Sequence, residues 1–254
     1  MKRTLALAAG LFSLAGAWML PLHELMPGPF SAHMTMHMAV VAVAAPLLAL
    51  GVAGGSLDPV RRVPALFPPV PTSIVELIVV WAWHAPALHH AARHETVFLA
   101  LEQGSFLASA LLVWLAAFGG EAEARPGRSA AGIVALLLTS MHMTLLGALL
   151  SLPPRALYAH ADHGAALSPL DDQHLGGAIM LVAGGIVYLA GGLFLSLELL
   201  RHRGAEPAFI GARDAGHAVL SGARDAGQAA RSGTHDAGQA ARSGARVRAN
   251  EGST

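Results

Sequence analysis

Three observations predict an all-α fold: a polytopic membrane helix bundle of about six transmembrane helices, followed by a disordered tail. Apolar residues make up 54% of the 254 positions and charged residues only 13%, against roughly a quarter charged in a soluble domain. The apolar residues gather into six runs of near-bilayer length. Lys and Arg fall almost entirely in alternate loops between those runs. In hydrocarbon the backbone has to satisfy its own polar groups, so runs of this kind are helices.

The runs are read at 4–22, 33–53, 73–90, 97–118, 130–152 and 174–200. The third is short, with Glu76 near one end. Breakers separate them: Pro27-Gly28-Pro29, Gly54-Gly55, Pro68-Pro69 with Pro71, Pro126-Gly127 and Pro153-Pro154. With the N-terminus inside, the cytoplasmic ends carry Lys2, Arg3, Arg61, Arg62, Arg125, Arg128, Arg201 and Arg203, and the outer loops only Arg93 and Arg155. Both termini are therefore expected in the cytoplasm and the protein in a bacterial inner membrane. Lys2-Arg3, the first run and Ala15-Gly16-Ala17 also resemble a secretory signal peptide. Because the run continues through Trp18-Met19-Leu20, a retained first helix is the expectation.

The bundle is placed at 1–203 and the tail at 204–254. An eleven-residue block beginning at Gly211 recurs at Gly222 and Gly233, and in broken form at Gly244. Each block holds two glycines and almost no large apolar side chain. It buries too little surface to offset its ordering entropy, so the tail is expected to be disordered or weakly helical.

The chemistry is carried by histidine. The chain has 14 His, 9 Met and no Cys, which removes disulfides and thiolate metal motifs. Zero formal net charge and the lack of a basic stripe give no reason to expect a nucleic-acid partner. By the loop charges, His23, His33, His37, His84, His89, His90, His94, His160, His163 and His174 fall on the outer side. His142 lies deeper, and only His202, His217 and His235 are inside. In Ser31-Ala32-His33-Met34-Thr35-Met36-His37-Met38, His33 and His37 are four apart and share one helix face. Imidazoles among soft thioethers favour copper over calcium or magnesium; a plain interfacial histidine pair with methionine filler is the alternative. His84 in Trp81-Ala82-Trp83-His84-Ala85-Pro86 and His142 in Met141-His142-Met143 sit within spans, where ionisable groups are costly and usually functional.

These residues give a candidate copper site of His33, His37, His84, His142 and His174, with Met34, Met36 and Met143 as thioether donors. His37, His84 and His142 are the central trio, with His33 as an entry ligand and His174 opposite. Glu102 and Gln103 are expected either to hydrogen-bond a liganding imidazole or simply to bridge helices. Asp172 and Gln173 join them, within Asp171-Asp172-Gln173-His174, where carboxylates are also expected to cap the sixth helix. His89, His90, His94, His160 and His163 are expected to be solvated loop residues. Repeated glycines at Gly176-Gly177, Gly184-Gly185 and Gly191-Gly192 are expected to allow close helix contact.

Taken in order, several segments resemble the membrane cytochrome c oxidase assembly factors of the CtaG type known from Gram-positive bacteria. They are His33-Met34-x-x-His37 followed by Ala45-Pro46-Leu47-Leu48; Trp83-His84-x-Pro86; Phe106 with Trp114; His142 with Gly147 and Tyr158; and Ser168-Pro169-Leu170-x-Asp172-Gln173-x-x-Gly177. The match covers about residues 20–200. This chain departs from the pattern in lacking a further N-terminal helix, in having Gln103 where a histidine is expected after Glu102, and in its repeat tail. The resemblance implies a non-enzymatic role in maturing a haem-copper oxidase at its copper centre, on the outer side of the inner membrane. The implied partners are oxidase subunits and an extracytoplasmic copper donor. Two readings from other classes stay open: a haem-binding membrane electron carrier and a metal transporter. A protease reading lacks a His-Glu-x-x-His helix or a nucleophile constellation.

Overall fold

The computed structural model describes residues 2–121, 125–158 and 166–201. Every regular element among them is helical. Helix α1 is Lys2–Met19, α2 the short Leu22–Leu25, and α3 Pro29–Met38. A π-helical stretch, Ala39–Ala44, joins α3 to α4, Ala45–Val52. There follow α5, Pro59–Arg62; α6, Pro69–Trp83; α7, Pro86–His94; α8, Thr96–Phe118; α9, Arg125–Ser151; and α10, Pro169–Arg201. The compact unit runs to Leu199, and the repeats of the tail lie outside the described residues.

Among the described residues, four stretches are long and apolar enough to cross a membrane: Pro29–Val52, Thr96–Phe118, Gly127–Ser151 and Pro169–Arg201. The pair α6 and α7 makes a fifth, bent by 72°. Of the six runs expected, the first is the one outside this set. Helix α1 is 18 residues long and includes Lys2 and Arg3. The exterior carries exposed Phe12, Ile78, Leu145 and Ile186, as a surface facing hydrocarbon requires.

Local sequence explains the irregular points. Pro86 lacks an N–H and disfavours helical backbone at the residue before it. Ala85 is accordingly extended (φ −64°, ψ 133°), and the span breaks beside His84. Pro46 likewise cannot bond to the carbonyl of Ala42, and its ring would crowd that carbonyl in a regular helix. The wider π turn stands just before it. At the opposite end from the histidines, Asp58 receives hydrogen bonds from the N–H groups of Gly54, Val60 and Gly120. It ties the α4–α5 loop to the end of α8.

Glycines set the closest helix contacts. A Cβ at Gly10 of α1 would stand 2.9 Å from Leu48, and one at Gly51 the same distance from Leu7. Between α9 and α10, a Cβ at Gly147 would stand 2.6 Å from the Leu181 nitrogen, and one at Gly177 2.8 Å from the Gly147 carbonyl. The close approach expected of the sixth-run glycines is present here and at Gly191, against Trp114.

The start of α3 is held by α10. Asp172 Oδ2 and Oδ1 accept the N–H groups of Phe30 and Ser31 at 2.7 and 2.9 Å. The sequence suggests that Asp172 caps its own helix, and the structure corrects this. Ser168 and Asp171 cap α10 through Ser168 Oγ to Asp171 Oδ2 (2.6 Å) and Asp171 N–H to Ser168 Oγ (3.2 Å). Asp172 is left to point across the bundle. Gly28 leaves the space its carboxylate occupies.

Three stability outcomes follow. Gly177→Val should lower the thermal midpoint in detergent, costing about 2 kcal/mol or more by overpacking. Gly104→Ala, where no atom lies within 4 Å of the added carbon, should leave the midpoint unchanged or raise it slightly. Asp172→Ala should cost about 1–2 kcal/mol as a lost helix cap, with Asp172→Asn recovering part of it. Equal midpoints for the Ala and Asn variants would contradict the capping role.

Candidate metal centre

Helix α3 presents His33 and His37 toward α8 because residues four apart stack on one helix face. Their ring centres are 4.1 Å apart and nearly edge-on. Glu102 of α8 meets both. His33 Nε2 lies 3.3 Å from Glu102 Oε1 and 3.2 Å from Oε2, and His37 Nε2 lies 3.7 Å from Oε1. All three residues are buried. One ligand atom from each falls within 4.8 Å of the others. Donors bound to one ion at about 2 Å lie some 3–4 Å apart, so small side-chain movements would close this group on a metal.

Gln103 sets the state of His37. The indole N–H of Trp18 can only donate, so the Gln103 Oε1 facing it at 3.4 Å is the acceptor. That leaves Gln103 Nε2 to donate to His37 Nδ1 at 2.9 Å and to Glu102 Oε2 at 3.4 Å. A neutral His37 therefore carries its proton on Nε2, beside Glu102. Binding a metal through Nε2 requires that proton to move to Nδ1 and the Gln103 amide to turn over.

His84 ends α6 with its ring Nδ1 donating to the Val80 carbonyl at 2.7 Å. The proton then resides on Nδ1, and Nε2 keeps its lone pair, buried and without a hydrogen bond. Its ring centre is 6.0 Å from that of His37. The His84 carbonyl accepts the Tyr158 hydroxyl at 2.5 Å. Burial pushes the Tyr158 phenol up to about 12, so it remains a donor. Tyr158 thus fixes the bend from outside the spans.

The predicted site residues separate into three groups. His33, His37, Glu102, Gln103 and His84 come together, with Glu102 beside both imidazoles of α3. Met143 borders the same region, lining a small cavity with His37 and His84. His142 is buried with both ring nitrogens lacking hydrogen-bond partners, but it does not line that cavity. Its membership of the central trio is therefore not reproduced. On α9, Met143 rather than its neighbour His142 turns toward His37.

The others serve the fold. His174 Nε2 bonds to the Pro153 carbonyl at 2.9 Å, and the donor group of His33, His37 and Glu102 does not include it. Gln173 accepts the Leu157 N–H at 2.6 Å and donates to the Leu150 carbonyl at 3.0 Å, clamping the chain that leaves α9. Asp172 caps α3 as described. Met34 is wholly buried against α10 near Gly176, and Met36 is half-buried at the edge of the core. Neither lines the cavity.

Two participants escape the sequence reading. His89, expected to be solvated, is buried on α7 with its ring 5.2 Å from His33 and 4.4 Å from Tyr158. The amphipathic pattern of α7 was the available signal, since a helix lying across the bundle end buries one face. Met180 of α10 lines the cavity beside His37, and nothing in its local sequence distinguishes it from core filler. His90 and His94 are exposed as expected, while His160 and His163 lie outside the described residues.

No curated protein and no solved structure gives a significant match to this chain. A family model described as cytochrome c oxidase caa3 assembly factor (Caa3_CtaG) matches residues 1–202. That span takes in the whole helical unit, including the His33–His37–Glu102 group and the bend at His84. The chain belongs to the caa3 cytochrome c oxidase assembly factor family.

Proposed function

We propose that this chain serves oxidase assembly by holding a copper ion at His33, His37 and Glu102 for the oxidase metal centre. It acts as a binding protein rather than an enzyme. The observation that supports this best is the meeting of two imidazoles and a carboxylate, all buried, at one end of the bundle. A buried ionisable group in an apolar bundle costs several kcal/mol unless it is paired or liganded. The nitrogen and oxygen donors alone would suit zinc or iron as well as copper. The bordering thioethers and the oxidase-assembly family favour copper.

When bound, copper supplies only itself as cargo; the chain's residues do the handling. Gln103 and Glu102 orient His37, and Asp172 anchors the helix that presents both histidines. The loop charges support a reading in which this end faces outward from the inner membrane and both termini are cytoplasmic. There the protein would meet the oxidase subunit it serves and an extracytoplasmic copper donor.

Two measurements test this. Under copper limitation, cells carrying Glu102→Gln or His37→Gln should contain oxidase with about tenfold less copper per haem, or lower, with the variant protein at normal abundance in the membrane. Excess copper should partly restore it. Wild-type oxidase copper content under limitation would overturn the proposal. Reporter fusions after Arg62 and Arg128 should read cytoplasmic, and fusions near His90 and His160 extracytoplasmic; the opposite pattern would move the site to the wrong side.

A further inference from the structure

Below the His33–His37–Glu102 group lies a second set of donors with a different chemistry. His37, Met38, His84, Phe106, Met143 and Met180 line a cavity of about 10 Å³, space for about one water-sized atom. The donors come from four places in the fold: α3, the end of α6, α9 and α10. Met143 and Met180 are wholly buried, and Met38, His37 and His84 nearly so. His84 Nε2 has its lone pair free and no hydrogen bond. A ring bound through one nitrogen has its centre about 3 Å from the metal, so the 6.0 Å between the His37 and His84 rings fits two imidazoles sharing one ion.

We infer that this cavity is a second copper position, selective for the monovalent ion, and that it shares His37 with the outer group. The inference rests on the copper reading above. Every donor in the cavity is neutral, and its remaining wall is apolar, with the Phe106 ring 4.5 Å from His37. The cost of moving an ion from water into such surroundings grows as the square of its charge. A divalent ion therefore suffers about four times the penalty of a monovalent one, with no carboxylate among the residues that line the cavity. Thioethers are soft ligands that select monovalent copper. The outer group is the reverse: harder donors including Glu102, suited to a divalent ion.

Because His37 belongs to both sets, the two positions are adjacent and alternative. A monovalent ion passes between them without change of valence, exchanging His33 and Glu102 for His84 and thioether sulfur while keeping contact with His37; a divalent ion stays at the outer position. The chain thereby has a place for each valence without a thiol that oxidation would destroy.

The test uses the full-length protein purified in detergent. Monovalent copper is supplied anaerobically from a bicinchoninate buffer, and divalent copper is supplied separately in air. The wild-type protein should bind monovalent copper with both nitrogen and sulfur neighbours in the X-ray absorption spectrum. The triple variant Met38→Leu, Met143→Leu, Met180→Leu should lose the sulfur neighbours and about tenfold or more in monovalent affinity, with divalent binding unchanged. Glu102→Gln should do the opposite. His84→Gln, which leaves all three methionines in place, should also weaken only the monovalent ion and serves if the triple variant fails to accumulate. Monovalent copper bound without sulfur, or at wild-type affinity by the triple and His84 variants, overturns the second position and leaves the outer one standing. Failure to bind copper in either valence overturns both.

Discussion

Glu102 is a carboxylate with no exposed surface, inside a bundle whose exterior is built for hydrocarbon. Leaving such a group unpaired costs about 3–5 kcal/mol, and much of the surrounding structure can be read as its accommodation. Two imidazoles one turn apart on α3 face it, and Gln103 beside it donates to one of its oxygens. Gln103 in turn receives Trp18, which ties the end of α1 to α8. For α3 to present that face, its own start must be held in one orientation, and Asp172 reaches over from α10 to do so. One buried charge thus recruits four helices.

A second buried carboxylate repeats the logic at a different depth. Glu76 of α6 has no exposed surface and accepts hydroxyl hydrogen bonds from Tyr188 of α10 (2.5 Å) and Thr139 of α9 (3.2 Å). Trp114 packs 5.2 Å from the Tyr188 ring. The Tyr188 hydroxyl also lies 3.5 Å from the Val41 carbonyl in the π turn, where the wider spacing leaves backbone groups more open than in a regular helix. Hydroxyls rather than imidazoles satisfy Glu76, so this network joins helices without offering a metal its nitrogen donors. The contrast between the two acids separates the part of the bundle that gathers imidazoles from the part held together by hydroxyls.

Hard and soft donors meet at His37. On its outer side the ring faces a carboxylate, and on its inner side an apolar cavity bordered by methionine. That change of surroundings across one imidazole arises from helix geometry. Residue 37 shares its face with residue 33 toward Glu102, while residue 38, turned by about 100°, looks toward the cavity. The bend at Pro86 then brings His84 to the cavity from the far wall.

Helix content, the apolar spans after the first and the gathering of His33, His37 and His84 at one end were legible in the sequence because each depends on composition or short-range spacing. The pairing of His33 with His37 was legible for the same reason: four residues make one turn. The bend at His84 was signalled by Pro86, through the missing N–H. What only the tertiary structure decided are the contacts between helices distant in sequence. Asp172 caps α3 across 142 positions, a partner no local pattern names, because Ser168 and Asp171 already cap α10. Which imidazoles Glu102 meets, and the replacement of His142 by Met143 beside His37, follow from the rotation of α8 and α9 about their own axes. Apolar periodicity leaves that rotation loose in helices that are apolar all round. Met180 and His89 joined for the same reason: the side chains that meet at one depth in the bundle are set by how glycine contacts and buried polar bonds lock the helices together.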